Sequence, residues 1–367
     1  MKHAKNIAVT LTFVLLLALG LAACIWSGAH PKSYSRTEKR PLAQFPRDVT
    51  WHSLVDKSSI DQFEDFTVDQ FPARQFFRAL KARFVTEVLG QKQNNGYATE
   101  EGSIAQIKTA FNDESIDYSL SRLADVCERY SLDTKRLYLA IIPDKNYFFA
   151  KNYGYPAPDY EALVKRARQK LPHATYIDLF PHLSLSDYYK TDWHWDQSRL
   201  LGVLDVLGKS MGFADALPDD YDIHTLTPYY GGYCDQSALY PPPETLTYLT
   251  NDVIDACTVY DYETGNTTGV YIPALFESDT GYDFFLSGMK GLLRIDNPMA
   301  KNERELVVLR DSFGSSILPL IAQGYRTVWV VDIRYVLPSS LGTQIDFSDK
   351  DVLFLFSTTV LDSKTFK

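Results

Sequence analysis

Five stretches of this 367-residue chain are apolar at nearly every position, and no other feature restricts its fold as much. They read RLYLAIIP, TYIDLF, ELVVLR, TVWVVDIRY and DVLFLFST. A strand with one wet face alternates apolar and polar residues. A strand apolar throughout is covered on both faces, as in a parallel sheet with helices above and below. Helical periodicity fills the gaps. Ile116, Leu120, Leu123, Cys127 and Tyr130 step by four and three just before the first run, and a helix around Tyr160–Lys170 precedes the second. The alternation predicts a parallel sheet with crossover helices.

Between residues 217 and 296 the rhythm breaks. GGY, PPP and ETGNTTG separate short runs rich in Tyr and Thr, which predicts irregular β-rich insertions on the sheet or a separate small β domain. Upstream, Pro41 and Pro46 interrupt a linker or wrapping arm. Ser59 with Gln62 resembles a capping box that starts a helix. Pro72 fits the first turn of the next helix, where Phe76, Leu80, Phe84 and Val88 recur every four residues before Gly90. The expected division is 1–31 anchor, 32–56 linker and 57–367 one domain with its insertion at 217–296.

Ile7–Trp26 carries no charge, and twenty such residues can span a bilayer. An uncleaved signal anchor is one reading. A cleaved lipoprotein signal is the other, because Leu21-Ala22-Ala23-Cys24 resembles a lipobox that would leave Cys24 as the lipidated first residue. The length of the run favours the anchor. Both tether the body of the protein outside the membrane. Net charge is −9, and no basic block of nucleic-acid-binding size occurs. The basic cluster Lys32–Arg40 reads as a solvated linker or a contact with lipid headgroups. Aromatic content of 14% suits a sugar-stacking surface as well as a large core. Beyond Cys24 the cysteines are Cys127, Cys234 and Cys257. Three form no complete disulfide framework, and no CxxC pair suggests structural zinc; Cys234 and Cys257 could pair with each other, but are expected free and buried.

Two short segments carry chemistry. In TDWHWDQ, an extended backbone would put Asp192 and His194 on one face and Trp193 and Trp195 on the other. An aspartate there orients an imidazole and frees its second nitrogen as a base; a satisfied histidine among tryptophans is the structural alternative. In LRDSFGSS a strand ends at a serine, Gly314 permits a tight turn, and a helix begins. Ser312 is placed for a nucleophile, or simply for a helix cap. His194 stands 312 − 194 = 118 residues earlier, so only the fold can join them.

YYKTDWHWDQ, LRDSFGSS, VWVVDIRY, FEDFTVDQFPAR and IIPDKNYF together resemble the bacterial DHHW proteins, in the SGNH-hydrolase-like group that includes the alginate O-acetyltransferases. The resemblance spans about Phe63 to Tyr335. It implies a three-layer α/β/α, flavodoxin-like SGNH core, with Asp192 as acid, His194 as base and Ser312 as nucleophile. It implies acyl transfer to cell-surface polysaccharide or to water, without cofactor, from a donor supplied by a membrane acyl-transporting partner. Trp193 stands where the family name has a His. Oxyanion or substrate contacts are expected from the Ser312 N–H and Gly314; Asn297 is either a side-chain donor or a plain turn residue, and Lys145 either meets an anionic glycan or is a solvated loop lysine. A non-catalytic glycan-binding protein on the same fold is the alternative. A metal site of Asp192, His194 and Asp196 is disfavoured, because one His and two Asp make a poor zinc set.

Overall fold

The apolar runs form the parallel part of an eight-stranded sheet in the computed structural model, which describes residues 2–35, 38, 40–132, 136–218, 220–278 and 280–367. The strands are β1 (Leu137–Ile142), β2 (Thr175–Asp178), β3 (Thr258–Asp261), β4 (Thr267–Thr268), β5 (Leu292–Asp296), β6 (Glu305–Arg310), β7 (Thr327–Val331) and β8 (Asp351–Ser357). Their order is β4-β3-β5-β7-β6-β8-β1-β2. The five from β7 to β2 run parallel, whereas β5, β3 and β4 extend the sheet antiparallel.

The longer helices are α1 (Lys2–Ala29), α2 (Ser58–Asp69), α3 (Arg74–Arg83), α4 (Asp113–Tyr130), α5 (Lys145–Tyr153), α6 (Tyr160–Lys170), α7 (Leu201–Met211) and α8 (Gly314–Ile321). Period-two alternation along each strand feeds two cores. Leu137, Leu139 and Ile141 meet Ile116, Leu120 and Leu123 of α4 and Leu163 of α6. Tyr138, Ala140 and Ile142 belong to the opposite core, with Leu204 and Leu207 of α7 and Ile317 and Leu320 of α8. Each fully buried aliphatic side chain contributes about 1.5–3 kcal/mol relative to exposure, so the three-layer arrangement follows from the unbroken apolar runs. TYIDLF departs from the pattern. Its strand is an edge with Thr175 and Asp178 exposed, although Ile177 enters one core and Tyr176 packs against the other.

The stretch 217–296 divides in two. Asp222–Tyr229 and Glu244–Thr250 pair as a hairpin of their own, while β3, β4 and β5 join the main sheet. By contacts the chain forms two compact units, Met1–Gln91 with Asp235–Leu239, and Lys92–Cys234 with Tyr240–Lys367. The expected boundary at 56/57 therefore falls inside the first unit. There the arm is ordered by side chains: Arg40 grips Asp69 at 2.6 and 2.9 Å, and Gln70 exchanges hydrogen bonds with the backbone of Lys32. Residues 36, 37 and 39 of the basic cluster lie outside the described residues. Ser59 does not cap α2. Its hydroxyl bonds Ser53, and α2 begins at Ser58 after Lys57 in a left-handed conformation.

Candidate active site

All five parallel strands end on one edge of the sheet, and there β6 turns into α8. Asp311 shapes the turn. Its Oδ1 accepts the Phe313 N–H at 3.0 Å, an Asx turn, and its Oδ2 accepts the N–H of Ser357 at the end of β8 at 2.7 Å. Ser312 sits between buried Asp311 and buried Phe313 and is itself half-buried. The two strands thus fix the backbone from which its hydroxyl projects.

TDWHWDQ is not extended. Residues 191–194 form bends inside a loop closed by a bridge between Tyr188 and Trp195. A second Asx turn brings the acid to the base: Asp192 Oδ1 accepts the His194 N–H at 2.9 Å and meets Nδ1 at 2.7 Å. Two elements clamp the loop from opposite electrostatic signs. Glu244 accepts the N–H groups of Lys190 and Thr191 at 2.5 and 2.6 Å. Lys145 Nζ donates to the carbonyls of Tyr189 and Lys190, both at 2.7 Å. Buried Trp195 then ties the loop to α8, donating to Phe313 O at 3.0 Å and Ser316 Oγ at 2.9 Å, and Gln197 donates to Ser316 O at 2.5 Å. Through these links His194 Nε2 lies 2.8 Å from Ser312 Oγ.

The tautomer follows from a donor. Trp193 Nε1, which can only donate, lies 3.0 Å from His194 Nε2. Nε2 therefore carries the lone pair, and the ring proton sits on Nδ1 facing Asp192. This corrects the expectation that Trp193 points away from the acid–base face; the bends turn its indole back onto His194.

Asp192 is saturated. Its Oδ2 accepts from Tyr229 OH at 3.0 Å and from the Gly232 N–H at 2.8 Å. Burial works to raise this carboxyl, but the His194 imidazole and the N–H groups of His194 and Gly232 outweigh it and hold the carboxyl well below its usual range. Adjacent glycines make the approach possible. A Cβ on Gly231 would lie 2.4 Å from Asp192 Cβ, and one on Gly232 would lie 2.2 Å from the Trp193 ring. Tyr282 completes the setting, stacked on the imidazole at 3.8 Å and 2°, with its hydroxyl on Ser316 Oγ at 2.8 Å.

Tyr229, Gly231, Gly232, Glu244 and Tyr282 all come from the 217–296 stretch, and sequence reasoning missed each. The paired glycines of YYGGY were the one available signal.

Three expected contacts take other positions. Lys145 is fully buried; besides Tyr189 and Lys190 it reaches Ile104 O at 2.5 Å and Asp192 O at 3.3 Å, so it props the loop and does not face a glycan. The Gly314 N–H is committed to Asp311 O at 3.0 Å, and the absence of a Cβ serves close packing on the Arg310 stem. Asn297 follows β5, which runs antiparallel, so it lies at the edge of the sheet opposite Ser312. Its amide donates to Ala322 O at 3.1 Å and its oxygen accepts the Met299 N–H. Asp196 caps the turn at Ser198 instead of joining Asp192 and His194. Arg334 pairs with Asp332 at 2.6 Å. Cys24 is exposed on α1, and Cys234 and Cys257 are buried and in no disulfide among the described residues.

Neither a protein-family model nor a curated protein's sequence matches the chain. Solved structures do. One is a DHHW family protein from Eubacterium siraeum, with TM-score 0.59 and 19% identity over 74% of this chain and 93% of that one. Another is Bacillus cereus PatB1 with a sulfonyl adduct, with TM-score 0.57 and 20% identity over 74% and 97%. The O-acetyltransferase domain of Pseudomonas putida AlgJ aligns over 73% and 92%, with 17% identity and TM-score 0.42. Across about three quarters of its length this chain therefore has the fold of a DHHW family protein and of PatB1, the resemblance that its own motifs carry.

Proposed function

We propose that this protein is a membrane-tethered, extracytoplasmic serine acyltransferase or esterase acting on O-acetyl groups of cell-surface polysaccharide. The observation that supports the reading most is the unbroken chain Asp192–His194–Ser312, at 2.7 and 2.8 Å, with the lone pair of Nε2 directed at the hydroxyl. Ser312 Oγ attacks the carbonyl carbon of an acetyl ester while its proton passes to His194 Nε2. Asp192 holds the resulting imidazolium. The Ser312 N–H, near the start of α8, faces the oxygen that becomes negative. The tetrahedral adduct collapses as the leaving alcohol takes the proton from His194, leaving acetyl-Ser312. A sugar hydroxyl then gives its proton to His194 and attacks the acetyl carbon, which forms the new ester and frees Ser312. Water in place of the sugar yields acetate.

Tethering is supported by α1, of which Lys5–Ala29 contains an 18-residue stretch with a mean hydropathy of 2.6 and has the length to cross a bilayer. A membrane partner that delivers acyl groups would supply the donor on the outer face.

The test uses the full-length chain in detergent with a chromogenic acetyl ester and a sulfonyl fluoride. Wild type turns over the ester and acquires one sulfonyl group on Ser312 by mass spectrometry. Ser312→Ala and His194→Ala lose about 10⁴-fold or more of the rate with folding intact. A wild-type chain that neither turns over nor labels, yet binds glycan, is the non-catalytic binding protein instead.

A further inference from the structure

The first unit contains a helix that is inside out. Along α3 and the π-helical turn Phe84–Val88 that continues it, Arg74, Arg78 and Ala82 face the protein. Arg74 pairs with Glu38, Arg78 donates to Gln236 O at 2.8 Å, and Ala82 is fully buried. The apolar stripe of Phe76, Leu80, Phe84 and Val88 points outward, with Phe76 64% and Val88 67% exposed. Phe77 and Leu89 widen it, and Phe71 joins Phe77 edge to face at 5.6 Å. A helix on a water-soluble surface does the reverse, burying its apolar stripe and wetting its arginines. An outward apolar face of this length marks a surface that something covers.

The same unit says what covers it. Along α1 residues 5–26 are exposed, and at about 1.5 Å per residue the 25 residues of Lys5–Ala29 exceed the roughly 30 Å hydrocarbon layer. Its C-terminal end is held by α2: Ser27 Oγ donates to Gln70 O at 2.5 Å, Lys32 N donates to Gln70 Oε1 at 2.9 Å, and Gly28 lies against the Phe66 ring. Gln70 ends α2, and α3 begins at Arg74. α3 thus starts four residues, and its apolar stripe six residues, after the residue that holds the end of the apolar helix. Exposed Lys32, Lys81 and Arg83 border it with positive charge, which suits anionic headgroups.

We infer that the Phe76–Val88 face lies in the headgroup–acyl boundary of the bilayer that α1 enters, parallel to the membrane plane. The inference rests on the tethered reading above, and the experiment separates the two. The full-length chain carrying Cys24→Ser receives a single fluorophore through Leu15→Cys, Leu80→Cys or Lys81→Cys, with the Cys24→Ser parent as the labelling blank. Each is reconstituted in phosphatidylcholine–phosphatidylglycerol vesicles containing lipid-borne nitroxide quenchers. Leu15 and Leu80 probes are expected to be quenched by lipid, Leu80 by shallow nitroxides, while the Lys81 probe stays open to an aqueous quencher. Quenching at Leu15 but not at Leu80 overturns the inference and leaves the tether standing, with a protein as the stripe's partner. Quenching at neither overturns both.

Discussion

Lys145 and Arg310 are both fully buried beside the Asp192–His194–Ser312 chain, and they are held in opposite ways. Lys145 Nζ has carbonyl oxygens of Ile104, Tyr189 and Lys190 within 2.5–2.7 Å, and the Tyr233 ring 5.5 Å away. Arg310 is poorly served. Its guanidinium reaches Asp311 O and Gly288 O only at 3.3 and 3.4 Å, Asp332 lies 3.9 Å away and is already taken by Arg334, and Nε has no hydrogen-bond partner among the described residues. The contrast reflects how each half of the site is built. The Asp192–His194 half is a loop of bends in which backbone N–H groups serve Lys190 O, Thr191 O and His194 O, while the central cation gathers Tyr189 O, Asp192 O and Ile104 O. The Ser312 half is a strand–helix turn whose backbone is paired by β8 and by Asp311, so its cation contributes little through charge.

Replacing each cation tests the contrast most severely. Lys145→Met strands several buried carbonyls, at about 1–3 kcal/mol each, and is expected to lower the unfolding free energy by about 3–5 kcal/mol. Sulfonylation of Ser312 should slow by about 100-fold as Asp192 loses its support. Arg310→Met keeps the stem and is expected to cost less than about 1 kcal/mol, because a poorly bonded buried charge gives little back for its desolvation. Equal losses in denaturant titrations of the two variants would break the comparison.

Proton linkage sharpens it. Burial pulls the Lys145 ammonium down to about 7, against the opposing pull of Glu244 and Asp192. Between that value and the unfolded lysine value of about 10.4, the unfolded chain binds more protons than the folded one. The contribution of Lys145 to unfolding free energy therefore rises with pH across this window. Wild type should gain stability relative to Lys145→Met from pH 7 to pH 10, followed by urea titration at each pH. A flat difference would mean that the carbonyl cage keeps the ammonium charged throughout.

The third test separates the charge of Arg310 from its stem. A Cβ at position 314 would lie 2.9 Å from Arg310 Cβ and 3.1 Å from Cγ. Gly314→Ala is expected to cost about 1–3 kcal/mol through overpacking and to displace Ser312. Arg310→Met should not relieve it, since Cβ and Cγ remain. Arg310→Gly should recover part of the loss in labelling rate, and the absence of recovery would place the conflict elsewhere.

The asymmetry also explains what the sequence reveals. Ser312 is legible because strand, turn and helix are consecutive, and each leaves its own local pattern. Asp192 and His194 are legible because an Asx turn needs only neighbours. Tyr229, Gly232, Glu244 and Tyr282 act from positions set by long-range pairing, which composition does not record. Asn297 was misplaced because it follows β5, and nothing local distinguishes an antiparallel strand in a mostly parallel sheet. The burial of Lys145 is invisible in the sequence because it depends on Ile104 and on the Tyr189–Asp192 loop, both about forty residues distant.

Trp193 offers the smallest effect and the finest test of the loop half. Its indole N–H competes with Ser312 for the lone pair of His194 Nε2, at 3.0 Å against 2.8 Å. The competition opposes proton transfer, since an N–H facing a newly protonated Nε2 must withdraw. Trp193→Phe keeps an aromatic ring against Gly232 and Tyr233 while removing the donor. With a hydrogen bond worth about 1 kcal/mol net, sulfonylation of Ser312 should accelerate roughly fivefold. The melting temperature should fall only slightly. A slower reaction would assign the indole the opposite task, holding the imidazole in line with Ser312. The loop half would then depend on Trp193 as well as on Lys145 for its geometry.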